Sequence, residues 1–163
     1  MSFLSQTMNT FTQAPILGLV DLIPSPEVIS VQLSPSTAAV CQVGSALKLI
    51  GGQAALPIVD VCSGPTDGPV FAVVPYNNRK NTYSAGEILN AVMKGTFVYL
   101  RSSAAINRGD KVTTTAATTT TDPLVTTVST PTTQYVTGVA IDLATGADQL
   151  IRIRIAPSLN GAV

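Results

Sequence analysis

Isoleucine and arginine alternate near the end of the chain, with Ile151, Ile153 and Ile155 separated by Arg152 and Arg154. A period of two puts the isoleucines on one face of a strand and the arginines on the other. Gln149 to Ile155 is therefore predicted to be a strand with one buried and one wet face. Val139, Ile141 and Leu143 alternate with Ala140 and Asp142 in the same way. That predicts a second strand with those three side chains facing the core. The turn chemistry of Ala144-Thr-Gly-Ala-Asp148 between the two runs predicts an antiparallel hairpin, which brings Asp142 near Arg152 or Arg154 across the ladder.

Shorter runs of the same kind precede it: Val28 to Leu33, Leu47 to Ile50, Leu56 to Cys62, Val70 to Val74, and Phe97 to Arg101 after Gly95. Pro35, Gly51-Gly52 and Asp67-Gly68 punctuate them. Ser84 and Glu87 have capping-box spacing, but Gly86 would sit in the first helical turn, and Ile88, Ala91 and Val92 fit either period. Ser84 to Met93 is read as a strand. Thirteen of the 25 residues from 113 to 137 are threonine. Their β-branches favour extended chain, while their hydroxyls compete for backbone hydrogen bonds. Thr118 to Pro123 is expected to be an exposed loop, and Leu124 to Val128 an edge strand. No helical repeat or heptad is present.

The prediction is an all-β chain: a small β-barrel or β-sandwich over residues 28–163, preceded by an extended N-terminal arm over residues 1–27. In the arm the apolar residues Phe3, Leu4, Phe11, Ile16 and Leu17 follow no period, and Pro15, Pro24 and Pro26 forbid a continuous helix. Apolar but unpatterned sequence of this kind suits contact with a partner.

Composition sharpens this picture. Charged residues are 11% of the chain and the formal net charge is zero, against a usual ~25% charged in soluble domains. Thr, Ser, Ala, Gly and Pro have taken their place. A neutral surface suits a protein packed against neighbours better than a freely diffusing monomer; a Thr-rich extracellular β-protein is the plainer reading. No positive region precedes an apolar segment, since the first basic residue is Lys48, so no secretory signal is expected. No apolar run approaches the ~20 residues of a membrane helix. Nor is there a basic patch to neutralise phosphates, so neither a membrane nor a nucleic acid is expected as a partner.

Chemistry-bearing constellations are sparse. Histidine is absent, which removes the usual general base and the commonest metal ligand. Ser45 and Lys48 are the nearest approach to a Ser–Lys pair. Asp60 and Glu87 are the carboxylates best flanked by apolar residues, although a solvated carboxylate is the commoner fate. Asp142 and Asp148 bracket a turn but fall short of a calcium loop. Arg108-Gly109-Asp110 spells an integrin-type tripeptide, which a Gly-Asp turn before a strand explains better. Cys41 and Cys62 sit in apolar runs and are expected as buried free thiols, with a disulfide as the alternative. No catalytic, cofactor or metal site is expected.

The stretch from Gly86 to Ala156 is similar to bacteriophage capsid decoration (cement) proteins. The resemblance rests on the Gly86-Glu start, the Gly95-Thr-Phe-Val-Tyr-Leu strand, and Ala105-Ile106 leading through Gly109-Asp110 to Val112. The closing Gly138-Val-Ala-Ile, Thr145-Gly-Ala-Asp and Leu150-Ile-Arg-Ile-Arg-Ile segments belong to the same pattern. It covers less than half of the chain. It implies a small β-barrel made in the host cytoplasm that docks as a homo-oligomer, dimer or trimer, on the outside of an assembled head. There it would cement neighbouring major capsid proteins non-covalently. Beside it, the residues that suit capsid or subunit contact are Phe3, Leu4, Phe11, Ile16 and Leu17, with Arg79 and Lys80 steering toward an acidic shell. A tail-tube, head-completion or host-surface or glycan-binding virion subunit is the alternative.

Overall fold

A computed structural model describes residues 16–20, 26–51, 56–115, 122–130 and 132–158. The described residues are all-β, and ten principal strands among them close into two barrels of five. The first barrel holds β1 (Val28–Leu33), β3 (Ala46–Gly51), β4 (Ile58–Val61), β5 (Val70–Val73) and β7 (Ile88–Val92). The second holds β8 (Phe97–Ser102), β9 (Lys111–Thr114), β10 (Leu124–Thr127), β11 (Val136–Ala140) and β12 (Leu150–Ser158). Two short strands, β2 (Cys41–Gln42) and β6 (Thr82–Tyr83), pair with each other. The single barrel expected over residues 28–163 is thus two.

The two barrels are one design used twice. In each, taken in chain order, the ring runs first, third, second, fourth, fifth and back to the first. The first strand lies parallel to the third and antiparallel to the fifth in both. The registers correspond as well. Leu33 opposite Val59 matches Ser102 opposite Val125, and Val31 opposite Leu89 matches Leu100 opposite Ile151. Leu33 exchanges backbone bonds with Gly86 and Glu87, as Ser102 does with Asp148 and Gln149. The Cys41–Tyr83 pairing reappears as the bridge between Ile106 and Ala144. Even the turn conformation recurs: Gly44 (φ 84°) and Gly109 (φ 86°) each stand two residues before the second strand of their barrel.

Inward positions carry the core. In β8 burial alternates strictly, with Val98, Leu100 and Ser102 inside, and Ile151, Ile153 and Ile155 of β12 are buried as the alternation predicts. Burying each such isoleucine contributes about 1.5–3 kcal/mol. Ala46, Cys62, Val70, Val73 and Val92 of the first barrel join the core cluster of the second. The barrels therefore share a packed seam and do not hang on a linker.

Three expectations need correcting. First, β11 and β12 pair antiparallel as predicted, with Ala140 opposite Ile153, but the faces of β11 are reversed. Gly138 and Ala140 point inward, Val139 and Ile141 are half-buried, and Leu143 is exposed. The bulky isoleucines of β12 fill the barrel, so only small residues fit opposite them.

Second, β10 is no edge strand. It lies between β8 and β9, because closure into a barrel removes edges. The preceding Thr118 to Thr121 fall outside the described residues. Third, the segment from Ile16 to Val20, read as part of an extended contact arm outside the barrel core, is bonded to β8 and packs on the core. Because β10 covers only Arg101 and Ser102 of β8, the backbone near Tyr99 is left to be satisfied. Gly18 N–H donates to Tyr99 O (2.6 Å), Tyr99 N–H donates to Leu19 O (2.9 Å), and Val20 bridges Val98. Gly18 (φ 72°) passes so close to Val43 and the Tyr76 backbone that a Cβ there would lie 2.3 Å from Val43 Cγ1.

Candidate functional site

The residues singled out for chemistry are all held in structural roles. Ser45 Oγ accepts the Gln42 N–H (3.1 Å), whereas Lys48 Nζ bonds Asp67 Oδ1 (2.7 Å), so no Ser–Lys pair assembles. Burial pushes the Asp67 carboxyl up, but the Lys48 ammonium and the N–H and O–H of Ser63 outweigh it and hold it low. Asp60 accepts from Thr37 Oγ1 and the Val61 N–H, and Glu87 from Lys80 and the Ser84 N–H. The Ser84–Glu87 capping contact is real, although it closes a turn before β7 and starts no helix.

Asp142 takes a bidentate grip from Arg152 (2.9 and 2.8 Å), which holds its carboxyl below the usual range. Asp148 is a left-handed turn residue (φ 62°). Arg108-Gly109-Asp110 is the turn before β9, in which the Asp110 carboxylate accepts the Asn107 N–H (2.9 Å). Ser45 does the same for Gln42 in the first barrel. Cys41 and Cys62 are free and buried, and burial pushes both thiols up to about 12. Among the described residues no group of three or more His, Cys, Asp and Glu could hold a metal.

What the fold does present is a cleft. It has a volume of about 620 Å³ and is lined by Tyr76, Asn77, Asn78, Tyr83, Ile88 and Asn90, together with Pro75 and Leu89. Its origin is visible by comparing the two barrels. In the second, Ile141 N–H donates to Arg152 O (2.9 Å) just beyond β11 and keeps that strand against β12. The matching residue of the first barrel is Pro75, which has no N–H to give. There β5 and β7 pair only at Val73 and Val92, and the chain diverges into a loop.

The loop is internally braced. Asn77 Oδ1 accepts the Arg79 N–H (2.9 Å), Asn77 Nδ2 donates to Tyr83 Oη (3.4 Å), and Lys80 Nζ stands 5.4 Å from the Tyr83 ring centroid while paired with Glu87. Tyr76 also lines a smaller pocket of about 220 Å³ with Ile16, Leu17, Gln42, Val43 and Asp122.

The contact residues expected from the sequence are only partly brought together. Ile16 and Leu17 lie against the base of the loop that carries Arg79 and Lys80, and Leu17 also packs on the core. Arg79 and Lys80 are exposed, but Lys80 is committed to Glu87. Phe3, Leu4 and Phe11 lie outside the described residues. Arg79 and Lys80 mark the loop beside the cleft in the sequence, whereas Asn90 and Ile88 reach the cleft through the long-range pairing of β7 with β1. Pro75 after a β-branched run was the available signal.

No family model and no curated relative matches the chain. Among solved structures it is similar to the head fiber gp8.5 N base of bacteriophage phi29, at a TM-score of 0.47 and 15% identity over 80% of this chain and 94% of that one.

Proposed function

We propose that this chain is a structural protein of a phage virion that binds the outside of an assembled head and cements neighbouring major capsid proteins without covalent chemistry. The observation that carries the reading is the doubled barrel in a chain that is sparsely charged and net neutral. Two modules of the same strand order share one core seam, so one chain carries two contact modules at fixed spacing. A bivalent ligand of that kind holds two neighbouring subunits at high effective concentration, even where each contact is weak.

The surface suits contact: Val28, Leu49, Ile50, Ile88 and Leu143 are exposed while the charged side chains are few and many of them are paired. Binding the assembled shell and not its free subunits stabilises the shell by mass action. The resemblance of Gly86 to Ala156 to decoration proteins points the same way, and homo-oligomers are part of the proposal.

Co-sedimentation with procapsids and with expanded heads tests it. Saturable binding to expanded heads at a fixed ratio to the major capsid protein is expected. Absence of binding to either particle overturns the reading and shifts weight to a tail or host-surface role.

A further inference from the structure

We propose that the cleft beside β7 binds a neutral, hydroxyl-rich ligand, an uncharged oligosaccharide. The doubled barrel supplies an internal comparison. At the second barrel's matching positions stand Asp142 and Arg152, joined by a bidentate ion pair. In the first barrel those positions are Tyr76 and Asn90, and the longer connection from β5 to β7 leaves the space open. The cleft is thus a property of one repeat and not a consequence of the fold.

Its lining selects the ligand class. No described residue lining it is charged, the nearby Lys80 and Glu87 neutralise each other, and the exposed Arg79 of the same loop is not among the lining residues, so the lining itself favours a neutral ligand. Pro75, just beyond β5, offers no N–H, which disfavours addition of an extended peptide on this side. What remains is the chemistry that holds sugars: partly exposed aromatic and aliphatic faces at Tyr76 and Ile88, with amides that both donate and accept. Asn90 Oδ1 already accepts Ser30 Oγ (3.1 Å), which fixes the orientation of its amide nitrogen. Asn78 makes no side-chain hydrogen bond among the described residues, and its side chain is exposed.

The test is a titration of the full chain with maltotriose and chitotriose, followed by the side-chain amide resonances of Asn77, Asn78 and Asn90, with a heparin trisaccharide as the charged control. Saturable shifts confined to these amides are expected with at least one neutral sugar and not with heparin. Tyr76→Ala should weaken binding roughly three- to tenfold, the worth of one stacked ring, and Tyr76→Phe should retain it. The double variant Tyr76→Asp/Asn90→Arg replaces the ring and the amide with the charged residues of the second barrel, so it should fold and bind neither neutral sugar. No shift with either neutral sugar, preferential binding of heparin, or binding unaffected in the folded double variant overturns the proposal.

Discussion

Gly138→Ala probes how tightly β11 is laid against β12. A Cβ at position 138 would sit 2.3 Å from the Arg154 carbonyl oxygen and 2.7 Å from Ile153 Cγ2. The nearer atom is backbone, so the clash is relieved only by moving one strand off the other. Overpacking of this kind costs about 1–3 kcal/mol, offset by roughly 0.5–1 kcal/mol because Ala loses less backbone entropy than Gly. A net loss of ~1–2 kcal/mol lowers the midpoint of a chain this size by roughly 2–8 °C.

The first barrel explains why the position is special. Its equivalent residue is Ala72, buried without difficulty, and the residue equivalent to Ile153 is Ala91. Thermal unfolding of Gly138→Ala, Ile153→Ala and the double variant is the assay. Ile153→Ala alone should cost about 2–5 kcal/mol, and the double variant should lose less than the sum, because the smaller side chain relieves part of the clash. A Gly138→Ala protein as stable as the parent, or strictly additive losses, refutes the packing argument.

Ile153→Asp should prevent cooperative folding, since it buries an unpaired carboxylate. Arg152→Ser, which breaks a half-exposed ion pair, should cost only about 0.2–1 kcal/mol; urea titration separates the two. Native protein at pH 8 should react with a disulfide reagent only as fast as it unfolds, because both thiols are buried and raised to about 12. Rapid release of two equivalents from native protein would contradict that. Removing residues 1–15 should leave the melting temperature nearly unchanged. Removing residues 1–20 should lower it, because the backbone partners of Tyr99 and Tyr76 go with Gly18 and Leu19. Equal melting of the two truncations would show that those bonds contribute nothing.

Elements that declare themselves locally were legible in the sequence. The Ile–Arg alternation of β12, the antiparallel partner β11 and the contact of Asp142 with Arg152 all follow from period and turn chemistry. The face of β11 did not, because inward Gly138 and Ala140 are less hydrophobic than outward Val139 and Ile141. Only the bulk of the facing isoleucines decides that. The parallel pairing of β10 with β8 reaches past the intervening β9 and leaves no local mark, so β10 read as an edge.

The duplication was hidden for a related reason. Equivalent positions such as Leu33 and Ser102, or Ala91 and Ile153, share geometry but not side chains. What persists is backbone: the turns at Gly44 and Gly109 and the bonds around Gly86 and Asp148. The cleft is legible only once Pro75 is set beside Ile141, which requires knowing that the two barrels correspond.

As proposed, the chain strengthens an assembled head by bridging its subunits without covalent chemistry. The most direct measurement is the temperature at which DNA escapes from heads assembled with the protein, from heads lacking it, and from bare heads to which it has been added back. Because the bound ligand favours the assembled state, escape should occur at a higher temperature with the protein present. Add-back should restore the full gain, and chelator should leave it unchanged. Equal escape temperatures with and without the protein would contradict the account.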